Sequence, residues 1–160
     1  MILLSESTRQ TITALRQRGP TPRSALLTAL RLAQAERGCV GPAEAEELAS
    51  LLDLTPAVVD GAARFYDRLT SEPTGRHIVS LCHGIACFLR GGDAGRAQLE
   101  QYLHLRPGET SGDGQVTFRL VECIGACDHA PAVMLDDALL GALSLEHLAA
   151  VLDQAKERHQ

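Results

Sequence analysis

The sequence has 160 residues, of which 45% are hydrophobic and 3% aromatic, and its formal net charge is −5. A chain of this length forms one large domain or two small ones, and its weakly acidic balance argues against binding to the phosphate backbone of nucleic acid. No apolar run approaches the roughly 20 residues that a membrane-spanning helix needs. The first residues lack the basic region of a signal peptide, so we expect a cytoplasmic protein in a reducing compartment.

Residues 1–70 carry the periodicity and the end signals of helices joined by short loops. Apolar side chains recur at helical spacing at Leu26, Leu27, Leu30 and Ala33, and Gly38 suits the end of that helix. We expect helices from Ser5, Ser7 or Thr8 to about Arg18, from Ser24 to Arg37, from Pro42 to Leu52, and from Pro56 to about Leu69. This pattern predicts a helical bundle over residues 1–70.

A polar segment rich in turn residues, 70–75, separates this bundle from a different pattern. We expect strands at residues 77–81, 116–121, 132–135 and 138–140, a helix from about Ala86 or Asp93 to Leu103, and a last helix capped by Ser144. The second half therefore has the order β-α-β-β-β-α. The sequence as a whole predicts an α/β protein with a second domain over residues 76–158.

Four of the five cysteines form two close pairs, Cys82 with Cys87 as C-x4-C and Cys123 with Cys127 as C-x3-C. Each pair follows a predicted strand, so two loops would present four thiolates. Such a set can hold a tetrahedral metal ion or an iron–sulfur cluster, and a [2Fe-2S] cluster takes two thiolates per iron. Glycines inside the two loops would permit the positive φ or the close approach that an amide-lined pocket requires.

Other uses of the cysteines stay open on these grounds. Structural zinc usually takes C-x2-C pairs, although C-x4-C occurs, and a redox dithiol or disulfide is a further alternative. His83 and His129 beside the pairs raise a Rieske-like ligand set, but Cys82 and His83 could bind one metal only awkwardly. We interpret both histidines as outer neighbours or exposed groups, expect Asp128 to face solvent, and interpret Cys39 as a small buried hydrophobe.

Familiar nucleotide-binding motifs are missing from the sequence. It contains no G-x-G-x-x-G fingerprint, no G-x4-G-K-[ST] loop and no convincing nucleophile–base set. We therefore do not expect this chain to bind NAD or a flavin. A redox centre without a substrate site is typical of an electron carrier or of one subunit of a larger enzyme.

Several motifs together resemble one known family. They are Cys82-x4-Cys87 followed by Phe88-Leu89-Arg90-Gly91, then Gly112-Asp113-Gly114, Cys123-Ile124-Gly125-Ala126-Cys127 and Ala130-Pro131, with Phe65-Tyr66 ahead of Pro73-Thr74-Gly75-Arg76. This set is similar to the thioredoxin-like [2Fe-2S] ferredoxin family. That family includes the small iron–sulfur subunits of NADH:quinone oxidoreductase, of NAD-dependent formate dehydrogenases and of bidirectional NAD-linked hydrogenases. The similarity runs from about Leu26 to Leu152.

The resemblance implies a helical bundle followed by a thioredoxin-like α/β domain with a four-stranded mixed sheet. It implies that Cys82, Cys87, Cys123 and Cys127 ligate a [2Fe-2S] cluster. It also implies an electron-transfer subunit of an NAD(H)-linked oxidoreductase, without a substrate site of its own. The expected partners are a flavin- and NAD-binding subunit and other iron–sulfur subunits. The alternatives are a zinc-stabilised interaction module without a redox role and a free-standing dimeric [2Fe-2S] ferredoxin.

Overall fold

The structure, a computed structural model, describes residues 3–157 of the chain. Its contacts divide the chain into two compact units, Met1–Pro73 and Thr74–Gln160. Each unit has a hydrophobic core of its own. None of the helices within residues 3–157 is both long and apolar enough to cross a membrane.

The first unit is entirely helical. It contains α1 (Glu6–Arg18), a 3-10 turn (Pro22–Ala25), α2 (Leu26–Arg37), α3 (Pro42–Leu52) and α4 (Pro56–Phe65). The side chain of Ser5 caps α1 by accepting the N–H of Thr8 at 3.3 Å, and Gly38 ends α2 in the left-handed conformation with a φ of +84°. These two end signals confirm the expected start of α1 and the expected end of α2, but α2 begins at Leu26 and not at Ser24, because residues Pro22–Ala25 form a 3-10 turn.

The fourth helix is shorter than the sequence predicts. It ends at Phe65, because Tyr66 adopts an extended conformation. The N–H of Leu69 then donates to the carbonyl of Tyr66 at 2.8 Å, and this turn delivers the Leu69 side chain to the core of the unit. Leu69 is thus buried as expected of an apolar residue, but it reaches the core from a turn and not from a helix.

Leucine and alanine make up most of the first core. Leu30, Leu48 and Leu52 are fully buried, and small side chains such as Ala29 and Ala33 lie beside them. Because alanine lets helix backbones approach closely, a bundle without buried aromatic rings can still be packed densely. The carboxylate of Glu47 accepts the N–H groups of residues 3 and 4 at 2.8 and 3.1 Å, which ties the start of the chain to α3.

The second unit is a mixed α/β structure, as predicted. Its elements are β1 (His77–Cys82), α5 (Ile85–Leu89), α6 (Gly92–Leu103), β2 (Val116–Val121), β3 (Ala132–Leu135), β4 (Ala138–Ala142) and α7 (Leu145–Glu157). The strands lie in the order β2-β1-β3-β4. β1 is parallel to β2 and antiparallel to β3, and β3 is antiparallel to β4. The four-stranded mixed sheet is therefore confirmed.

The helical region after β1 differs from the sequence prediction of one helix with an uncertain start. The structure has two helices, α5 and α6, separated at Gly91, which has a φ of +88°. A Cβ on the next residue, Gly92, would lie 2.9 Å from the carbonyl oxygen of Cys87. The two glycines thus allow α6 to begin directly against α5, and α5 becomes a separate short element that carries Cys87.

We predict that Leu48→Ala lowers the free energy of unfolding by about 2–5 kcal/mol, because it leaves a cavity in a fully buried part of α3. Urea denaturation followed by circular dichroism measures this change. Glu46→Ala, an exposed position on the same helix, is the control and should change the value by no more than about 0.5 kcal/mol. Equal effects of the two substitutions would contradict the assignment of Leu48 to the core.

Candidate metal centre

The parallel pairing of β1 with β2 brings the two cysteine loops to one edge of the sheet. Cys82, the last residue of β1, lies in register with Val121, the last residue of β2. The ladder extends one step further, since the N–H of His83 donates to the carbonyl of Val121 at 2.8 Å. Cys123 follows only two positions after Val121. Both loops therefore leave the sheet side by side.

The remaining two cysteines come from the segments that follow. Cys87 lies on α5, and Cys127 begins a 3-10 turn that ends at His129. Cys82 and Cys87 are buried, with exposed fractions of 3% and 1%, whereas Cys123 and Cys127 are exposed. All four are free thiols. The site thus has a buried pair on one side and a solvent-facing pair on the other.

The sulfur of Cys82 donates to the carbonyl of Glu122 at 3.8 Å. Burial, the largest influence on its pKa, opposes its ionisation, but the nearby N–H groups of Gly84 and Ile124 and the thiols of Cys87 and Cys123 favour it. The net effect holds the pKa of Cys82 below its usual value. Cys82 therefore ionises more readily to the thiolate, which is the form of cysteine that binds metals.

Two other thiols, those of Cys87 and Cys127, have a pKa above the usual value. Burial raises the pKa of Cys87, although the N–H of Ala132 donates to its sulfur at 3.4 Å, and the neighbouring Cys82 raises it further. The pKa of Cys127 is raised first by the charge of Cys123 and then by desolvation. Like charges close together disfavour ionisation, so four thiolates at this edge need a positive partner.

The sequence suggested two reasons for glycine in the cysteine loops, a close approach between chains and a positive φ. Gly84 and Gly125 each provide one of them. Gly84 has an ordinary φ of −63°, but a Cβ there would lie 2.7 Å from the carbonyl oxygen of Glu122 and 3.8 Å from the Cβ of Cys123. Gly125 has open space around it but a φ of +83°. Close approach is thus required at Gly84, and a left-handed backbone at Gly125.

Small apolar residues surround the buried pair. Ala126, Ala130 and Ala132 are buried beside Cys82 and Cys87, and Ile124 packs against them. The peptide bond between Ala130 and Pro131 is cis. This surrounding lowers the local polarity around the buried sulfurs, while backbone N–H groups remain available to them.

The charged neighbours of the cysteines are exposed and pair with one another. Asp128 is 76% exposed and lies 2.9 Å from Nδ1 of His129, which is 53% exposed. The Nε2 atom of His83, a half-exposed side chain, lies 3.9 Å from Oδ1 of Asp93. Asp128 therefore faces solvent, as the sequence analysis expected.

One expectation about the cysteines is wrong. Cys39 is only half-buried in the first unit, and it is not the fully buried small residue that its sequence neighbourhood suggested. Gly38 on one side is exposed and Val40 on the other is buried. The residue therefore sits at the margin of the core.

The sequence predicts amides around the site, but it does not identify the residues that supply them. The N–H of Ala132 donates to the sulfur of Cys87 at 3.4 Å, and the N–H groups of Gly84 and Ile124 lower the pKa of Cys82. Within residues 3–157 no group of three His, Cys, Asp or Glu side chains is arranged around one metal-ion position. A cluster with two thiolates on each of two irons is a different arrangement from four ligands around one ion.

Curated proteins that are similar to this chain include subunits of NADH-quinone oxidoreductases. A subunit of the NADH-quinone oxidoreductase of Pseudomonas aeruginosa is 32% identical over 151 residues, which are 94% of this chain and 91% of that protein. A subunit of an NADH-quinone oxidoreductase of Rhizobium meliloti is 39% identical over 152 residues, which are 94% of this chain and 90% of that protein.

Solved structures share the fold at lower identity. Crystal structures of an NAD+-reducing [NiFe]-hydrogenase superimpose with a TM-score of 0.68 in the air-oxidized state and 0.66 in the H2-reduced state, both at 22% identity. The matches cover 89% and 82% of this chain but only 24% and 22% of the hydrogenase chain. This likeness therefore shows the fold alone.

The family model for the thioredoxin-like [2Fe-2S] ferredoxin matches residues 12–156, nearly the whole chain. The cysteine pairs, their sheet edge and the mixed sheet agree with that match. The chain therefore belongs to the thioredoxin-like [2Fe-2S] ferredoxin family, and its cofactor is a [2Fe-2S] cluster, as the sequence predicted.

Proposed function

We propose that this chain is the electron-transfer subunit of an NAD(H)-linked oxidoreductase module, and that it exchanges single electrons with a flavin on a partner subunit. The chain has no substrate site of its own in this proposal. The observation that carries it is the convergence of four free thiols at one sheet edge in a chain without nucleotide-binding motifs. The relatives named as subunits of NADH-quinone oxidoreductase support the same role.

We propose Cys82, Cys87, Cys123 and Cys127 as the ligands of the cluster. Their loops adjoin, the charges of neighbouring sulfurs raise the pKa of Cys87 and of Cys127, and the N–H of Ala132 donates to the sulfur of Cys87 at 3.4 Å. When bound, the [2Fe-2S] group supplies reversible one-electron chemistry. The N–H donors of this chain counter the negative charge of thiolate sulfurs, and the alanine surrounding keeps water from the buried pair.

The proposed partners are a flavin- and NAD-binding subunit and further iron–sulfur subunits of the same complex. A single redox centre exchanges electrons with a donor and an acceptor, and we assign both to partner chains because this sequence carries no familiar nucleotide-binding motif. We also propose that residues 1–70 and 76–158 are separate domains, which the two compact units support. A cytoplasmic location is proposed because reduced thiols persist in a reducing compartment.

We predict that Cys123→Ser loses its cluster or retains it poorly, because serine is a weak replacement for a thiolate at iron. Iron and acid-labile sulfide content, with the visible absorbance of the purified protein, measure the loss. Cys39→Ser is the matched control and should keep full iron content, since Cys39 lies in the helical unit. Full iron content in Cys123→Ser would remove Cys123 from the ligand set.

We predict that Gly84→Ala shortens the lifetime of the cluster several-fold in air. The added Cβ would meet the backbone carbonyl of Glu122 at 2.7 Å, and backbone cannot yield as a flexible side chain does, so the two ligand loops must separate. The decay of visible absorbance measures this effect. Gly112→Ala, with no atom within 4 Å of its Cβ position, is the control. Identical decay in the two variants would show that close approach at Gly84 is not needed.

We predict that NADH reduces the cluster only when the flavin-bearing partner is present, because this chain lacks a nucleotide motif. The test mixes holoprotein with the flavoprotein subunit purified from the same complex, adds NADH, and records the EPR spectrum of frozen samples. Flavoprotein stripped of its flavin serves as the control and should give no signal. Reduction by NADH in the absence of flavoprotein, or none in its presence, would contradict the proposed function.

A further inference from the structure

One face of the sheet carries an arginine close to the strand end that delivers Cys82. Arg119 on β2 lies in register with Ser80 on β1, and two residues further along Val121 lies in register with Cys82. The Nε–H group of Arg119 donates to Oγ of Ser80 at 2.9 Å. Because side chains alternate between the two faces of a strand, Ser80 and Cys82 lie on the same face. Arg119 therefore shares that face with the cysteine.

The hydrogen bond to Ser80 determines where the positive charge lies. Ser80 is 3% exposed and Arg119 is half-buried, so competing water has limited access to the bond. Ser80 precedes Cys82 by two residues, which is about 7 Å along a strand. The Nε atom of Arg119 is therefore held within roughly 10 Å of the Cys82 side chain, which is about one Debye length at 0.1 M salt.

The surroundings of this arginine shield its charge less than solvent shields the other charges near the cysteines. Met134, a half-buried apolar residue, lies in register with Ser80 on the other side of β1. Charged residues nearer to the cysteines in the sequence are exposed, namely Arg90, Glu122 and Asp128. Because salt screens exposed charges more than partly buried ones, the field of Arg119 reaches further.

A positive charge in this place favours the reduced form of a cluster. A [2Fe-2S] cluster held by four thiolates is an anion, and one-electron reduction adds a further negative charge to it. A fixed cation nearby stabilises the reduced form more than the oxidised form, because the attraction grows with the charge of the cluster. The midpoint potential of the cluster therefore rises.

We propose that Arg119, positioned by Ser80, raises the midpoint potential of the cluster and so favours its reduction by the flavin of the partner subunit. In that step the reduced flavin gives up one electron and the irons gain it, with no bond made or broken at the cysteines. The inference rests on the ligand set and the function proposed above. Arg119 touches neither electron partner, and its effect is electrostatic.

Redox titration of holoprotein variants, followed by EPR, tests this role. We expect Arg119→Gln to lower the ratio of reduced to oxidised cluster at a fixed solution potential at least threefold. This change is about 30 mV, since a tenfold change in a one-electron couple is about 59 mV. Iron content and the g values of the EPR signal should stay those of wild type. Arg119→Lys keeps the charge and should recover most of the difference.

Two further variants separate the charge from its position. Arg76→Gln is the matched control, because Arg76 directly precedes β1, six residues and about 20 Å of strand away from Cys82, and its loss should leave the potential unchanged. Ser80→Ala keeps the guanidinium but removes the group that holds it. This variant should shift the potential in the same direction as Arg119→Gln, by a smaller amount.

The outcomes distinguish this role from the proposed function. If Arg119→Gln has the wild-type potential, or if Arg119→Lys or Arg76→Gln shifts as far as Arg119→Gln, the inference is wrong and the proposed function stands. If Arg119→Gln retains no iron, Ser80→Ala decides, and a wild-type potential in that variant overturns the inference. A wild-type protein that binds no iron would overturn both proposals.

Discussion

Repulsion among neighbouring thiolates is the constraint on which this site depends. Burial raises the pKa of Cys87 and the neighbouring sulfurs raise it further, while the charge of Cys123 is the first cause of the raised pKa of Cys127. Cys82, close to the N–H groups of Gly84 and Ile124, has a pKa below its usual value. A fold that crowds four sulfurs in this way favours a cationic occupant, and the irons of a [2Fe-2S] cluster supply that charge.

The topology of the sheet brings the cysteine sulfurs close together. Because β1 and β2 are parallel and in register at Cys82 and Val121, both chains leave the sheet at one edge, and the loops need little length to meet. Gly84 lets the loops touch, and β3 returns to offer the N–H of Ala132 to Cys87. The sheet of the thioredoxin-like unit therefore positions the two cysteine loops.

The elements with strong local signals were predictable. Pro42–Leu52 and Val116–Val121 have the predicted bounds, since a proline at the first helical position and an unbroken β-branched and aromatic run leave few alternatives. The end of α4 was not predictable from the sequence, because it depends on the packing of Leu69 in the core of the first unit. The cysteine pairs were visible as candidates, but the exposure of one pair and the N–H donors to the other depend on how the loops fold.

The orientation of α5 shows the same limit of sequence reasoning. The segment Ile85–Leu89 is apolar throughout, so its pattern alone cannot say which side faces solvent. Because Cys87 is buried, helical geometry places Ile85, Phe88 and Leu89 on the exposed side of α5.

X-ray absorption at the iron edge of the purified holoprotein tests the central claim most directly. If the two cysteine loops share one [2Fe-2S] cluster, each iron should have a shell of sulfur alone and a single iron neighbour, and Cys39→Ser should leave the spectrum unchanged. Nitrogen in the first shell, from His83 or His129, would contradict the four-thiolate assignment. Zinc with no iron in the protein would contradict the account as a whole.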